Sequence, residues 1–156
     1  GQGDSDLEER AQRVAREFPG RVAVRITFEP ELARRVCAGA DFFVVPSRFE
    51  PCGLTQMYAM RYGSIPIVSR VGGLIDTVPP IDLKRGEGKG ILAEAGSRES
   101  LLAACEEGFA LFSDAPECRA VRERGMRSDF SWGRSADRYL ALFDELARSA
   151  LTGRGD

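Results

Sequence analysis

The sequence contains no histidine among its 156 residues. This absence excludes a Ser-His-Asp triad, a histidine general base and any zinc site with an imidazole ligand. The cysteines show no C-x-x-C spacing, which excludes a redox motif or a metal knuckle built from Cys37, Cys52, Cys105 and Cys118. We therefore expect reduced thiols in a cytoplasmic protein, with no metal and no cofactor.

Lysine is also scarce, because Lys84 and Lys89 are the only lysines in a chain with 22 basic residues. The formal net charge of −2 is too balanced to suggest a nucleic-acid or a membrane surface. No apolar run approaches the roughly eighteen residues that a membrane span needs. With 43% hydrophobic and 29% charged residues, the composition is typical of one globular domain, which we predict over residues 1–156.

Four segments show the apolar patterns of β-strands. The segment "RVAVRITF" alternates with period two through Val22, Val24, Ile26 and Phe28, which predicts a half-buried strand. The continuous apolar run "DFFVV" is typical of a buried parallel strand. Two further short strands are predicted at "IPIVS" and "GILAE".

Helices are predicted around these strands, and each starts at a capping residue, at a proline or just beyond a strand end. Gly20 and Gly39 stop the first two, and Tyr62 ends the third. Their predicted starts are Asp4 or Ser5, Pro30, Leu54, Ser97, Pro116 and Ser131. The alternation of strand and helix predicts an α/β fold, a Rossmann-like parallel sheet with flanking helices.

The segment "PSRFEPCGLTQ" follows the buried strand "DFFVV" and leads into a helix. In open α/β sheets, ligands bind beyond the carboxyl ends of the strands. A phosphate could therefore lie on the free backbone N–H groups of Gly53, Leu54 and Thr55, where glycine leaves the approach open. Glu50 would repel that phosphate, so we expect it to accept hydrogen bonds from hydroxyls of an attached sugar. The alternative is a plain glycine turn and a solvated glutamate.

Three neighbouring signals leave alternatives open. Gly72 and Gly73 either let the backbone approach the ligand crevice or form an ordinary turn. Cys52 stands at a helix N-terminus, which can acidify a thiol, although packing beside a sugar is the favoured role because no histidine can activate it. Arg48 either binds a phosphate or pairs with a surface carboxylate.

The stretch "ADFFVVPSRFEPCGLTQMYAMRYGSIPIVSRVGGLIDTV" closely resembles the glycogen and starch synthases, which are retaining glucosyltransferases of the GT-B fold. The likeness extends to "RVAVRITFEPELARRVCAGAD" upstream and to "DFSWGRSADRYLALF" downstream. It implies transfer of glucose from ADP-glucose to the non-reducing end of an α-1,4-glucan. ADP-glucose and UDP-glucose are not distinguished by these residues.

The resemblance also implies roles for individual residues. The glutamate of the family's "EPCGLT" run contacts the glucosyl hydroxyls, which assigns the catalytic site to Glu50 and places Cys52 beside it. An aromatic residue at the end of the preceding strand stacks on adenine, and that position is Phe28 here, where tyrosine is usual. The substrate-binding positions implied in this way are Phe28, Cys52, Gly53, Leu54, Thr55, Gly72 and Gly73.

The chain departs from the family pattern at two places. Many related GT-B enzymes carry a second glutamate eight positions after the first, and Tyr58 stands there, as in the synthases themselves. The chain also begins inside what would be the C-terminal domain, so we expect an N-terminally truncated donor-binding portion that is inactive alone. The alternatives are another nucleotide-sugar GT-B transferase, or a non-catalytic nucleotide-binding or interaction module.

Overall fold

The structure of the chain, a computed structural model, describes residues 3–152. It divides into two compact units, residues 1–36 and residues 37–156. Within residues 3–152, none of the helices combines the length and the apolar character that crossing a bilayer requires.

The first unit contains α1, Ser5–Glu17, and the start of α2, Pro30–Gly39. Asp4 caps α1 as predicted, because its carboxylate accepts hydrogen bonds from the N–H groups of Asp6, at 3.0 Å, and of Leu7, at 3.2 Å. Pro30 is the first residue of α2, where its fixed φ angle and missing N–H carry no cost. Both predicted helix starts are confirmed.

The strand predicted over "RVAVRITF" is wrong. Residues 22–29 form an irregular connection between α1 and α2, although Val24 and Ile26 are half-buried as the alternation implies. A strand exists only where its backbone groups are hydrogen-bonded to a neighbouring strand. No ladder within the described residues reaches this segment. Alternation therefore identified two half-buried residues, but neither a strand nor a shielded side, because Val22 and Phe28 are exposed.

The second unit is built on a three-stranded parallel sheet. Its strands are β1, Phe42–Val45, β2, Ile65–Ser69, and β3, Ile91–Ala93, in the order β1-β2-β3. β2 lies in the centre, and all five of its residues are buried, which explains why "IPIVS" contains no charge. The three strands predicted at these positions are confirmed, and so is the Rossmann-like α/β fold class. The burial predicted for "DFFVV" is wrong, because β1 lies at the edge of the described sheet, where Val44 is exposed and its neighbours are only half-buried.

Helices cover both faces of this sheet. These helices are α3, Thr55–Arg61, α4, Gly72–Thr77, α5, Arg98–Ser113, and α6, Ala115–Met126. The last helix, α7, Trp132–Thr152, is exposed along residues 132–150 and does not cover the sheet. On one face, Val68 packs with Met60 of α3 and Leu74 of α4. On the other face, Ile65 and Ile67 pack against α5 and α6. The alternation of side chains along β2 thus determines which helices lie on which side.

The sequence predicts the start of α5 but does not predict α4. The start of α5 is confirmed, because Ser97 accepts a hydrogen bond from the N–H of Ser100 at 3.1 Å. In contrast, α4 has no counterpart among the predicted elements. Its six residues make fewer than two turns and begin with Gly72 and Gly73, which are poor helix formers. α4 is held by its contacts, which also shape the site described next.

Candidate functional site

The candidate site lies at the carboxyl ends of β1 and β2. These strands are parallel neighbours, so the segments that follow them leave the sheet at the same edge. The segment after β1 is the 46–54 loop, which leads into α3, and the segment after β2 leads through Val71 into α4. The two quoted motifs, "PSRFEPCGLTQ" and "GGLIDTV", therefore meet in space.

A backbone hydrogen bond joins the two motifs directly. The N–H of Gly73, at the start of α4, donates to the carbonyl oxygen of Glu50 at 3.1 Å. The carboxylate of Glu50 is half-buried, and within residues 3–152 it accepts no hydrogen bond and forms no ion pair. The main chain of Glu50 is thus fixed while its side chain keeps its full hydrogen-bonding capacity.

Gly72 and Gly73 allow this contact because they have no side chains. A Cβ atom on Gly72, which has a φ of 43°, would lie 2.0 Å from the Glu50 carbonyl oxygen. A Cβ atom on Gly73 would lie 2.4 Å from the carbonyl oxygen of Cys52. Both distances are far below van der Waals contact, and both neighbours are backbone atoms. The close approach predicted for this glycine pair is therefore an approach to the 46–54 loop itself.

Gly53 meets a similar requirement inside the loop. Its φ of 70° lies in the left-handed region, which glycine adopts without strain. A Cβ atom there would lie 2.6 Å from Oε1 of Gln56. Glycine at this position therefore lets the loop turn into α3 without strain and without displacing the Gln56 amide.

Gln56 is an organising residue that the sequence analysis missed. It is completely buried, and its Nε2 donates to the carbonyl oxygens of Cys52, at 3.2 Å, and Gly53, at 3.0 Å. The same nitrogen also donates to the hydroxyl of Thr77 at 3.0 Å, and that hydroxyl donates to the carbonyl oxygen of Gly73 at 2.7 Å. The available signal was a polar residue beside the apolar residues of a short helix, because a buried amide seeks partners. Only the nitrogen finds them, since Oε1 of Gln56 is buried without a partner among residues 3–152.

The backbone N–H groups predicted to hold a phosphate remain unoccupied by protein acceptors. Within residues 3–152, the N–H groups of Gly53, Leu54 and Thr55 make no hydrogen bond. Leu54 is the N-cap of α3 and provides no side-chain cap. The side chains of Leu54 and Thr55 are exposed. This end of α3 thus presents three donors towards solvent.

The remaining predicted residues lie in different surroundings. Cys52 is exposed, and its thiol contacts the carbonyl oxygen of Gly53 at 3.7 Å. Phe28 belongs to the first unit, where its ring is 85% exposed. Arg48 is exposed, with no ion pair and no hydrogen bond in the described part of the chain. Among the described residues, no three Cys, Asp or Glu side chains converge as a metal-binding group.

Residues 1–109 match the family model of the glycosyl transferases group 1. The chain is 49% identical over 147 residues to a glycogen synthase of Myxococcus xanthus, and 50% identical over 147 residues to one of Anaeromyxobacter dehalogenans. Those alignments cover 94% of this chain but only 30% and 31% of the two relatives. The chain therefore spans about a third of the length of the curated relatives that it matches.

Solved structures agree with this relationship. The catalytic domain of starch synthase IV from Arabidopsis thaliana, solved with ADP and acarbose, superposes with a TM-score of 0.79 at 33% identity. The match covers 91% of this chain and 30% of that one. A sucrose-phosphate synthase from Thermosynechococcus elongatus superposes with a TM-score of 0.66 at 25% identity, over 96% of this chain and 38% of that one. The chain belongs to the glycosyl transferases group 1 family, with the fold of a GT-B glycosyltransferase domain.

Proposed function

We propose that this chain is the donor-binding portion of a glycogen or starch synthase, a retaining glucosyltransferase. The reaction would move glucose from ADP-glucose to the non-reducing end of an α-1,4-glucan. The observation that carries the proposal is the fixed 46–54 loop. It combines a Glu50 carboxylate with N–H groups at residues 53–55, all of them without partners among residues 3–152. The two relatives named above support the proposal, because both are glycogen synthases and each matches this chain over 147 residues.

The two ends of the loop suit the two parts of a sugar diphosphate. The N–H groups of Gly53, Leu54 and Thr55 would donate hydrogen bonds to the diphosphate oxygens, because N–H donors at a helix start favour anions. Glu50 would accept hydrogen bonds from the glucosyl hydroxyls, with Cys52 packed beside the sugar. A carboxylate at Glu50 accepts hydrogen bonds from sugar hydroxyls, and its negative charge repels the phosphate oxygens. That separation orients the donor.

Phe28 would stack on the adenine ring of the donor. An exposed ring is costly to leave in water, and base stacking on such a ring is a common means of nucleotide binding. The proposal of ADP-glucose as donor agrees with the ADP found in the starch synthase IV structure. The glucan acceptor is inferred from the family alone.

Catalysis in this proposal depends on position and electrostatics. The donor would be held so that its anomeric carbon faces the acceptor, and the departing diphosphate would be stabilised by backbone donors. We assign no covalent nucleophile on the protein, since no described side chain near Glu50 is activated by a base. The four cysteines are all free, which supports a reducing compartment and hence the proposed cytoplasmic location.

The proposal can be tested in a chimera. This chain would replace the matched 147 residues of the Myxococcus xanthus glycogen synthase. We expect the chimera to transfer glucose from ADP-glucose to glycogen, and to do so less well from UDP-glucose. Glu50→Gln in the same chimera should abolish turnover while ADP still binds.

The control is Glu107→Gln, which changes an exposed glutamate of α5 and should leave turnover intact. A folded chimera that binds ADP but transfers no glucose would contradict the proposal. Faster transfer from UDP-glucose than from ADP-glucose would contradict the choice of donor.

A further inference from the structure

A shallow cavity of about 220 Å³ lies at the carboxyl edge of the sheet, beside α5. Its buried lining includes Ser69, the last residue of β2, and Ala93, which is the register partner of Ser69 in β3. Its rim comprises Arg48 of the 46–54 loop, together with Ser97 and Arg98 at the start of α5. None of these residues has a role in the donor site proposed above, so the cavity is a separate feature.

Ser69 provides the first sign that the cavity holds a ligand. The residue is only 3% exposed, yet within residues 3–152 its hydroxyl has no hydrogen-bond partner. The hydroxyl is not among the buried polar atoms sealed from solvent without a partner, so it reaches the cavity that Ser69 lines. The hydroxyl is therefore free to bind a ligand in the cavity, in place of the water that otherwise enters it.

Two arginines at the rim are also without partners in the described part of the chain. Neither Arg48 nor Arg98 forms an ion pair or a hydrogen bond there. A carboxylate does line the cavity at Glu94, but it is already paired with Arg70, whose Nε lies 3.1 Å from Glu94 Oε1. The rim therefore carries two guanidinium groups without partners among residues 3–152, and the neighbouring Glu99 carboxylate accepts a hydrogen bond from the Ser97 hydroxyl at 3.4 Å.

The start of α5 adds donors of the same kind. Ser97 accepts the N–H of Ser100, which leaves the N–H groups of Arg98 and Glu99 without a protein acceptor within residues 3–152. α5 has 16 residues, so its positive N-terminal end is well developed. Donors from three segments of the chain thus surround one small volume.

We propose that this cavity binds a phosphate group, held by Arg48, Arg98 and Ser69 at the start of α5. A tetrahedral phosphate offers three acceptor oxygens in different directions, which matches two guanidinium groups and a hydroxyl better than a planar carboxylate does. The volume is below the roughly 300 Å³ at which drug-sized ligand pockets begin. It leaves room for a phosphate ion or for a small phosphate monoester.

Nuclear magnetic resonance of the ¹⁵N-labelled chain in a phosphate-free buffer can distinguish the proposed phosphate site from the proposed donor site. Titration with inorganic phosphate or with glycerol 3-phosphate should shift the amide signals of Ser69, Arg98 and Glu99 in a saturable way. ADP should instead shift those of residues 53–55. Tighter binding of glycerol 3-phosphate would identify the ligand as a monoester, and tighter binding of inorganic phosphate would identify it as the free ion.

Three variants test the assignment of donors. Arg48→Gln and Arg98→Gln should each weaken phosphate binding about tenfold, the scale of one charge-assisted hydrogen bond, and Ser69→Ala should weaken it less. Arg119→Gln, an exposed arginine of α6 that does not line the cavity, should leave it unchanged. Shifts confined to residues 53–55, the absence of saturable binding, or equal effects of all arginine variants would overturn the proposal. If the chain binds inorganic phosphate but not ADP, that result contradicts the proposed donor site and not the proposed phosphate site.

Discussion

The side-chain amide of Gln56 in α3 donates to the hydroxyl of Thr77 in α4 across 3.0 Å. Through this pair, two short helices that follow different strands hold the loop between them. Gln56 binds the loop carbonyls of Cys52 and Gly53, and Thr77 binds the carbonyl of Gly73, whose own N–H holds Glu50. The position of Glu50 is therefore determined by residues that do not contact any ligand in our proposal.

Removing the Thr77 hydroxyl should loosen this arrangement. Thr77→Val keeps the shape of the side chain but removes the hydroxyl that accepts from Gln56 Nε2 and donates to the Gly73 carbonyl. We expect the free energy of unfolding to fall by about 1–3 kcal/mol, as measured by urea denaturation of the chain. Thr77→Ser keeps the hydroxyl and should lose less stability. No loss for valine, together with a loss for serine, would mean that the methyl group, and not the hydroxyl, matters.

Adding one methyl group at Gly73 should disturb the site more severely. The Cβ atom of Gly73→Ala would overlap the backbone of Cys52, so α4 and the loop must separate. We expect a loss of about 1–3 kcal/mol in the free energy of unfolding, together with weaker ADP binding by calorimetry. Gly39→Ala is the matched control, because Gly39 ends a helix and a Cβ atom there meets nothing within 4 Å. An unchanged Gly73→Ala protein would contradict the described packing.

Glu50→Gln should separate catalysis from nucleotide binding. The amide keeps the size of the carboxylate but accepts hydrogen bonds from sugar hydroxyls less strongly. In the chimera with the Myxococcus xanthus enzyme, kcat should fall by about 10²-fold or more, with little change in ADP affinity. Normal turnover in this variant would remove Glu50 from the catalytic site.

Phe28→Ala should weaken ADP binding by about 1–3 kcal/mol, the scale found for stacking of a base on an aromatic ring. Phe28→Tyr should preserve binding, because it keeps the ring face. Calorimetry on Phe109→Ala provides the control, since Phe109 is an exposed ring of α5 with 70% of its surface accessible. If the Phe28 and Phe109 variants bind ADP equally well, the stacking role is wrong.

The fold is predictable from the sequence where local chemistry decides the structure. The apolar runs that became β1 and β2, the cap at Asp4 and the cap at Ser97 each depend on residues within a few positions of one another. The prediction for residues 22–29 is wrong, because alternation cannot say whether a partner strand is present to complete the hydrogen bonds.

The site was predictable in part for the same reason. Glu50 and the N–H groups after it could be recognised from the order of strand, glycine and helix. The pairing of Gln56 with Thr77 could not, because 21 positions separate them and nothing local indicates that they meet. The glycine pair was recognised as a point of close approach, but its neighbour, the backbone of Glu50 and Cys52, emerges only from the fold.

The strand order of the sheet also bears on how the chain folds. Each strand pairs with the next one in the sequence, so Phe42 meets Ile65 and Ile67 meets Ile91, separations of 65 − 42 = 23 and 91 − 67 = 24 residues. Parallel sheets fold slowly when distant strands must meet before any contact stabilises them, because the loop entropy is lost first. Here each ladder closes a short segment that contains its own crossover helix. We therefore expect the sheet to form by successive local steps, beginning with either pair.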